Sequence, residues 1–234
     1  MGEKNVLVVG GSGGIGSHIV EEFKGKQWEV ISTFFGNRLK NADGGAYRLD
    51  STNEEDCENL TRRIKERYGK LNALIYASGI FEDSLTEKTE IASWNRVLNI
   101  NLTGAFLITK HMLPLLRESG DGRILYIGSV MGDAGCYGSS SYSVTKAGLV
   151  ALAKSVALEN ATKGVTANVL SFGYIDTGMT ASVPQKVLEG AMKKIPMKRL
   201  GDPSEVARIA VDLCSEHMNY VSGQVIRANG ALYV

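Results

Sequence analysis

The apolar run Asn5–Val9 (NVLVV) passes directly into Gly10-Gly11-Ser12-Gly13-Gly14-Ile15-Gly16, and a helical pattern continues through His18–Lys24. A buried strand that turns through five glycines in seven residues and at once becomes a helix can sit in few folds. Glycine permits the tight turn and lets the backbone approach another group closely. The helix N-terminus offers free N–H groups and the positive end of its dipole. Together they form a cradle for a pyrophosphate, as dinucleotide-binding α/β folds require. Gly10, Ser12, Gly13, Gly14, Ile15 and Gly16 are therefore candidate cofactor contacts.

The remainder of the chain keeps the same rhythm. Strands are expected at Trp28–Phe34, Ala73–Ala77, Arg123–Gly128, Val165–Phe172 and Val225–Arg227. Helices are expected at Asn53–Tyr68, Ile91–Leu116, Tyr142–Asn160 and Ser204–Ser215. The second of these is a long stretch with a break near Asn101–Gly104, and the last is led in by Asp202-Pro203. Strands that are apolar throughout, each followed by a helix, predict a parallel sheet covered on both faces. The expected fold is a single α/β domain over residues 1–234, a Rossmann-type doubly wound parallel sheet. The least regular segment, Gly173–Pro203, reads either as a flap that closes over a site or as a surface helix with loops.

Composition excludes several classes. A formal net charge of +1 gives no electrostatic case for a nucleic-acid or anionic-membrane partner. No stretch reaches about 18 unbroken apolar residues, and the N-terminus lacks the pattern of a signal peptide. Cys57, Cys136 and Cys214 are odd in number and far apart, without metal or disulfide spacing, which suits a reducing, cytoplasmic setting. Cys136 reads as a small loop residue. His18, His111 and His217 are scattered over predicted helices as surface or packing residues, and no carboxylate–histidine cluster suggests a metal.

Chemistry concentrates in GSVMGDAGCYGSSSYSVTK, where Tyr142 lies thirteen positions after Ser129 and Lys146 four positions after Tyr142. Four residues is about one helical turn, so the phenol and the ammonium share a helix face. The charge is expected to lower the tyrosine's pKa from about 10 and fit it for general acid–base work. Ser129 could then hold a substrate oxygen. The alternative is that Y-x-x-x-K is one ordinary helix face.

At the end of the second strand, where the NAD form of such folds places an acid for the ribose hydroxyl, no Asp or Glu occurs between Val30 and Ala42. Arg38 could instead meet a 2′-phosphate, with Lys40 a weaker candidate. The missing acid favours NADP over NAD, without excluding NAD.

From Val6 to Gly230 these pieces resemble the short-chain dehydrogenase/reductase family. Gly10, Gly14 and Gly16 match its T-G-x-x-x-G-x-G turn, with Val9 at the threonine. Asp50, followed by Ser51, matches the aspartate near the adenine. The family's N-N-A-G stands here as Tyr76-Ala77-Ser78-Gly79, a substantial departure. Asn101, Ser129, Tyr142 and Lys146 match the four catalytic positions. The P-G turn stands as Phe172-Gly173, and Thr177, two residues after Ile175, matches the threonine that meets the nicotinamide carboxamide.

The resemblance implies that Ser129 hydrogen-bonds a carbonyl oxygen and Tyr142 donates the proton. Lys146 lowers the tyrosine's pKa and bonds the nicotinamide ribose, while Asn101 holds a water in the proton-supply chain. Within the family, GSVMG, YSVTKAGLVALAKSVALE and IPMKRLGDPSEVA are most similar to the 3-oxoacyl-[acyl-carrier-protein] reductases of fatty acid biosynthesis. This implies NADPH-dependent reduction of a 3-oxoacyl thioester, with other ketones, sugars, steroids or secondary metabolites as alternative substrates; the altered Tyr76-Ala77-Ser78-Gly79 stretch leaves a catalytically silent nucleotide-binding protein as a further alternative. Those reductases dock an acidic carrier through basic residues; this chain has Gly120 at one such position and Lys163 at another. Lys193, Lys194, Lys198 and Arg199 could attract an anionic substrate or form a solvated face. The resemblance also implies a homotetramer or homodimer, with Leu149–Leu158 and the tail ALYV suited either to that interface or to the core.

Overall fold

The computed structural model describes residues 4–36, 45–178, 183 and 185–234. Among these, seven strands make one wholly parallel sheet in the order β3-β2-β1-β4-β5-β6-β7. They are β1 (Asn5–Val9), β2 (Glu29–Phe34), β3 (Ala46–Arg48), β4 (Ala73–Tyr76), β5 (Gly122–Ser129), β6 (Val165–Phe172) and β7 (Val225–Ala228). The helices are α1 (Gly14–Gly25), α2 (Glu54–Tyr68), α3 (Ile91–Leu98), α4 (Gly104–Glu118), α5 (Met131–Ala134), α6 (Ser140–Asn160), α7 (Gln185–Lys194) and α8 (Pro203–Leu213).

Why β1 is apolar throughout is visible in its pleat. Val6 and Val8 pack with Ile19 and Phe23 of α1 and Val206 and Ala210 of α8. Leu7 and Val9 point the other way, into Leu60 of α2, Ile108 and Met112 of α4 and Leu149 of α6. A strand buried on both faces cannot alternate in polarity, because successive side chains enter different cores. At its start, Asn5 and Asn72 exchange hydrogen bonds: the Asn5 N–H donates to the Asn72 side chain at 3.1 Å, and the Asn72 N–H to that of Asn5 at 2.9 Å.

Helix ends obey their local chemistry. The Asn53 side chain accepts the Asp56 N–H at the start of α2, and Gly69 closes it at φ 74°, its N–H donating to the Lys65 carbonyl at 2.9 Å. At α8 the Asp202 carboxylate accepts the Ser204 N–H at 2.7 Å, while Glu205 reaches back to the Asp202 N–H at 3.0 Å. That capping box, with Pro203 in the first turn, is the proline-led start expected from sequence.

Three features differ from the sequence expectation. The helix after the glycine turn begins at Gly14, not His18, because the turn itself winds into it. The strand β3 and the short α5 are additions; Ala-Tyr-Arg is too short to show a period. The break in the long helical stretch is a π-turn at Asn99–Thr103, which inserts a residue between α3 and α4 without ending the helical path. In the expected flap, α7 is helical and carries Lys193 and Lys194 in its last turn, while residues 179–182 and 184 lie outside the described residues.

Candidate active site

Strand β1 is flanked in the sheet by β2 on one side and β4 on the other, so the connections diverge at its C-terminal end and leave a crevice there. The glycine turn lines that crevice. Gly10 adopts φ 81°, and its N–H donates to the Thr33 hydroxyl at 3.1 Å. A Cβ on Gly10 would lie 2.9 Å from the Ser78 backbone; one on Gly16 would lie 2.1 Å from the Gly10 carbonyl oxygen. Both positions are therefore closed to any side chain. At the crest, Ser12, Gly13 and Gly14 are exposed, while Ile15 is partly buried against the core beside α1.

The other candidate cofactor residues gather around this turn. A Cβ on Gly14 would be 3.2 Å from the Thr177 Cβ, so Thr177 faces the start of α1 from across the crevice. Ala77 comes directly after β4, with its N–H on the Val9 carbonyl at 2.9 Å. Gly173 lies against Asn229 after β7, and Ile175 is buried, bridged to Gly201. At the end of β3 the Asp50 carboxylate accepts the Thr52 N–H at 2.9 Å and its hydroxyl at 2.7 Å. The Ser51 hydroxyl lies 3.0 Å from the Tyr76 hydroxyl, which donates to the Ile100 carbonyl at 2.5 Å. Tyr76, the departure noted in sequence, thus ties Ser51 to the π-turn, and burial pushes its phenol above the ordinary range. Arg38 lies outside the described residues.

Asn101, Ser129, Tyr142 and Lys146 converge at the C-terminal edge of the sheet, from the π-turn, β5 and α6. Ser129 ends β5, its hydroxyl accepting the Met131 N–H at 3.2 Å and near enough to the Tyr142 phenol to favour its ionised form. Lys146, 5% exposed, donates to the Ile127 carbonyl at 2.8 Å and stands 5.3 Å over the Tyr142 ring. Asn101 is fully buried in the π-turn. Its amide accepts the Ile80 N–H at 2.8 Å and donates to the Ile80 carbonyl at 2.9 Å and to the Thr145 hydroxyl at 3.3 Å. Thr145 passes the link on, donating to the Tyr142 carbonyl at 2.7 Å. A Cβ on Gly79 would meet Asn101 Oδ1 at 3.4 Å and Lys146 Nζ at 3.7 Å, so both polar ends border one small space.

The electrostatics correct one expectation. Burial pushes the Tyr142 phenol up to about 12, and the Ser129 hydroxyl pulls it only part of the way back. The same loss of hydration lowers Lys146 to about 8. The ammonium does not bring the phenol toward neutrality: burial disfavours both charged forms, and the ammonium is spent on a backbone carbonyl. At neutral pH the site therefore holds a protonated phenol, which is an acid rather than a base.

Two residues that sequence reasoning passed over belong here. Thr145 lies three positions after Tyr142, and this spacing was a usable signal. Phe81, whose ring meets Tyr142 edge-on with centroids 5.2 Å apart, gave none. The charge of Cys136 acts on both Tyr142 and Tyr174, and burial raises its thiol. Away from the site, the fold also assembles a carboxylate–histidine cluster not visible in sequence. Glu54, Glu58 and His111 bring ligand atoms within 4.8 Å of one another, with the Lys110 ammonium already on Glu54 at 2.5 Å. Among the described residues no helix is long and apolar enough to cross a membrane.

Comparison with known proteins gives a consistent set of similarities. The family model described as enoyl-(acyl carrier protein) reductase matches residues 10–232. The 3-oxoacyl-[acyl-carrier-protein] reductase of Buchnera aphidicola is 36% identical over 241 residues, covering 99% of this chain and 98% of that protein. The acetoacetyl-CoA reductase of Rhizobium meliloti is 38% identical over 234 residues, covering 97% of each. Among solved structures, the ligand-free aldohexose dehydrogenase of Thermoplasma acidophilum is similar with a TM-score of 0.91 at 26% identity, covering 98% of this chain and 94% of that one.

Proposed function

Because this chain belongs to the short-chain dehydrogenase/reductase family, and is thus a nicotinamide-dependent oxidoreductase, we propose that it uses NADPH to reduce a 3-oxoacyl thioester to the 3-hydroxyacyl thioester. The observation that carries this reading is the convergence of Ser129, Tyr142, Lys146 and Asn101 beside the glycine turn. The names of the Buchnera and Rhizobium relatives support a β-keto thioester as substrate.

The residues present fit a dinucleotide. The exposed crest of Ser12, Gly13 and Gly14 and the side-chain-free approach at Gly10 leave room for a pyrophosphate over the start of α1. Asp50 and Ser51 lie at the end of β3 for the adenosine end; Ala77, Ser78 and Gly79 form the wall. Gly173, Ile175 and Thr177 border the nicotinamide end. Arg38, in a stretch with no acid between Val30 and Ala42, would meet the 2′-phosphate of NADPH.

When bound, the nicotinamide supplies the hydride that the carbonyl carbon accepts. The chain's own part is acid catalysis. Ser129 donates a hydrogen bond to the carbonyl oxygen and aligns it with Tyr142. As that oxygen gains negative charge, the Tyr142 hydroxyl gives it a proton and the alcohol forms. Lys146 sets a positive charge 5.3 Å over the ring of the phenolate left behind and would hold the nicotinamide ribose, through which its proton would reach the phenolate. Asn101 keeps one oxygen lone pair toward the space under Gly79, suited to a water that refills Lys146 from solvent.

The positions of Gly120 and Lys163 adjoin in the fold, since a Cβ on Gly164 would lie 2.5 Å from the Gly120 oxygen. Lys163 is exposed there, a cation where an acidic acyl carrier protein would dock. Coenzyme A and carrier-protein thioesters are both to be assayed. Leu149 belongs to the core, whereas Leu158 on the same helix is 83% exposed, which supports a homotetramer or homodimer built on α6.

The test is nucleotide oxidation at 340 nm over a 3-oxoacyl thioester series from acetoacetyl upward, with NADPH and NADH in parallel. Turnover across the series is expected, with NADPH preferred. Tyr142→Phe is expected to lose at least about 100-fold in kcat while still binding nucleotide. No turnover of any thioester would sink the substrate assignment. A second reading, oxidation of a sugar, is favoured by the likeness to aldohexose dehydrogenase. Sugar-dependent reduction of NAD or NADP in the same assay would support it instead.

A further inference from the structure

Residues 80–84 cross the mouth of the site as a strap fastened from several sides. Asn101 holds Ile80 through both ends of its amide, at 2.8 and 2.9 Å. The Ser139 hydroxyl, 2% exposed, donates to the Glu82 carbonyl at 2.8 Å. The Ser84 N–H donates to the Gly138 carbonyl at 2.5 Å. The Glu82 carboxylate takes the Ser93 hydroxyl and, at 2.6 Å, the Arg96 guanidinium, both from α3. The π-turn, α3 and the loop leading into α6 therefore all grip five residues.

Phe81 rides in the middle of that strap. Its ring meets Tyr142 edge-on at 5.2 Å with the planes 69° apart, although the residue remains 38% exposed. An edge-to-face contact holds two rings in a preferred mutual orientation, so the strap's grip on Phe81 bears directly on the phenol. Among the described residues, the other titratable and polar groups acting on Tyr142 are Ser129 from β5, Lys146 from α6 and, through its charge, Cys136 from the loop, with Asp83 of the strap acting on Cys136. Lys146 stands over the ring face, whereas Phe81 meets the ring edge-on.

We infer that Phe81 is a positioning residue for Tyr142, clamped by the strap so that it fixes the phenol's orientation and keeps bulk water from it. This rests on Tyr142 being the proton donor. Opening the phenol to water favours its ionised form, so removing the ring lowers the pH at which Tyr142 ionises.

The experiment is a pH titration of protein labelled with carbon-13 at the tyrosine ζ-carbons, with Tyr142 identified by its loss in Tyr142→Phe. Phe81→Ala is expected to bring the ionisation of Tyr142 down by about one pH unit and Phe81→Leu, which keeps apolar bulk, by much less. Ser139→Ala, which loosens the strap without touching the ring, is expected to shift it the same way by a smaller amount. It serves as the deciding variant if Phe81→Ala does not fold. An unchanged midpoint in Phe81→Ala, or in Ser139→Ala where that variant decides, overturns the inference. The titration needs no substrate. A shift without turnover of any thioester sustains the role of Phe81 while sinking the substrate assignment, and turnover without a shift does the reverse.

Discussion

The Lys146 ammonium stands 5.3 Å over the Tyr142 ring and donates to the Ile127 carbonyl, not to the phenol oxygen. Its charge is buried, and loss of hydration lowers it to about 8. Below that pH the folded chain holds a charge it would shed, while the unfolded chain keeps its proton up to about 10.5. The cost to stability is therefore fully present below pH 8 and fades as the pH climbs to 10.5. Lys146→Met is expected to lose turnover yet melt several degrees higher at pH 7, a gain of about 2 kcal/mol once the lost hydrogen bond is subtracted. Thermal melts from pH 7 to 10.5 check this; an advantage that does not shrink with pH would contradict it.

Gly16→Ala is expected to weaken nucleotide binding at least tenfold, by roughly 1.4 kcal/mol or more. The added Cβ would stand 2.1 Å from the Gly10 carbonyl, so the turn must move or α1 must shift. Overpacking of this kind also costs about 1–3 kcal/mol of stability. Fluorescence titration with NADPH, beside a melt, measures both; wild-type affinity in the variant would mean that the turn does not hold the phosphates.

Arg38→Ala is expected to raise the KM for NADPH about ten- to a hundredfold and leave that for NADH nearly unchanged, because a lost charge-assisted contact to the 2′-phosphate is worth about 1.5–3 kcal/mol. Steady-state kinetics with both nucleotides decide it. Equal effects on the two would remove Arg38 from nucleotide selection.

Thiol labelling is expected to separate the three cysteines. Burial raises Cys57 and Cys214 to about 12. The folded chain thus keeps protons on both well above pH 9, where the unfolded chain loses them, so their share of stability is intact below pH 9 and lost as the pH rises through 12. At pH 8 only Cys136, the partly exposed one, should react in the native protein, and all three in denaturant. Fast labelling of Cys57 in the native state would show that α2 opens readily.

The parts of the fold legible in sequence are those whose cause is local. Asn5–Val9 could be read as a strand because burial on both faces demands an unbroken apolar run, and Asp202-Pro203 as a helix start because its cap lies within four residues. Ala46–Arg48 could not, since a strand of three residues takes its identity from its neighbour β2. At the site, the spacing of Tyr142 and Lys146 gave their shared face but not their ionisation, which depends on how deeply other elements bury them. Phe81 and Ser139 were silent for the same reason. Each acts on a partner more than fifty residues away, through the strap that no local pattern announces.

The extra residue at Asn99–Thr103 makes the length of this segment a condition of activity. Each residue removed from a helix turns its N-terminal part by about 100° against its C-terminal part. A single deletion there would relax the backbone into an ordinary α-helix and improve its local geometry, while swinging Asn101 off Ile80 and α3 off Glu82. Surface helices of most proteins absorb such a change through their loops. In this chain it would cut the strap loose at two ends, so insertions and deletions should be far less tolerated across 99–103 than substitutions of the side chains around it.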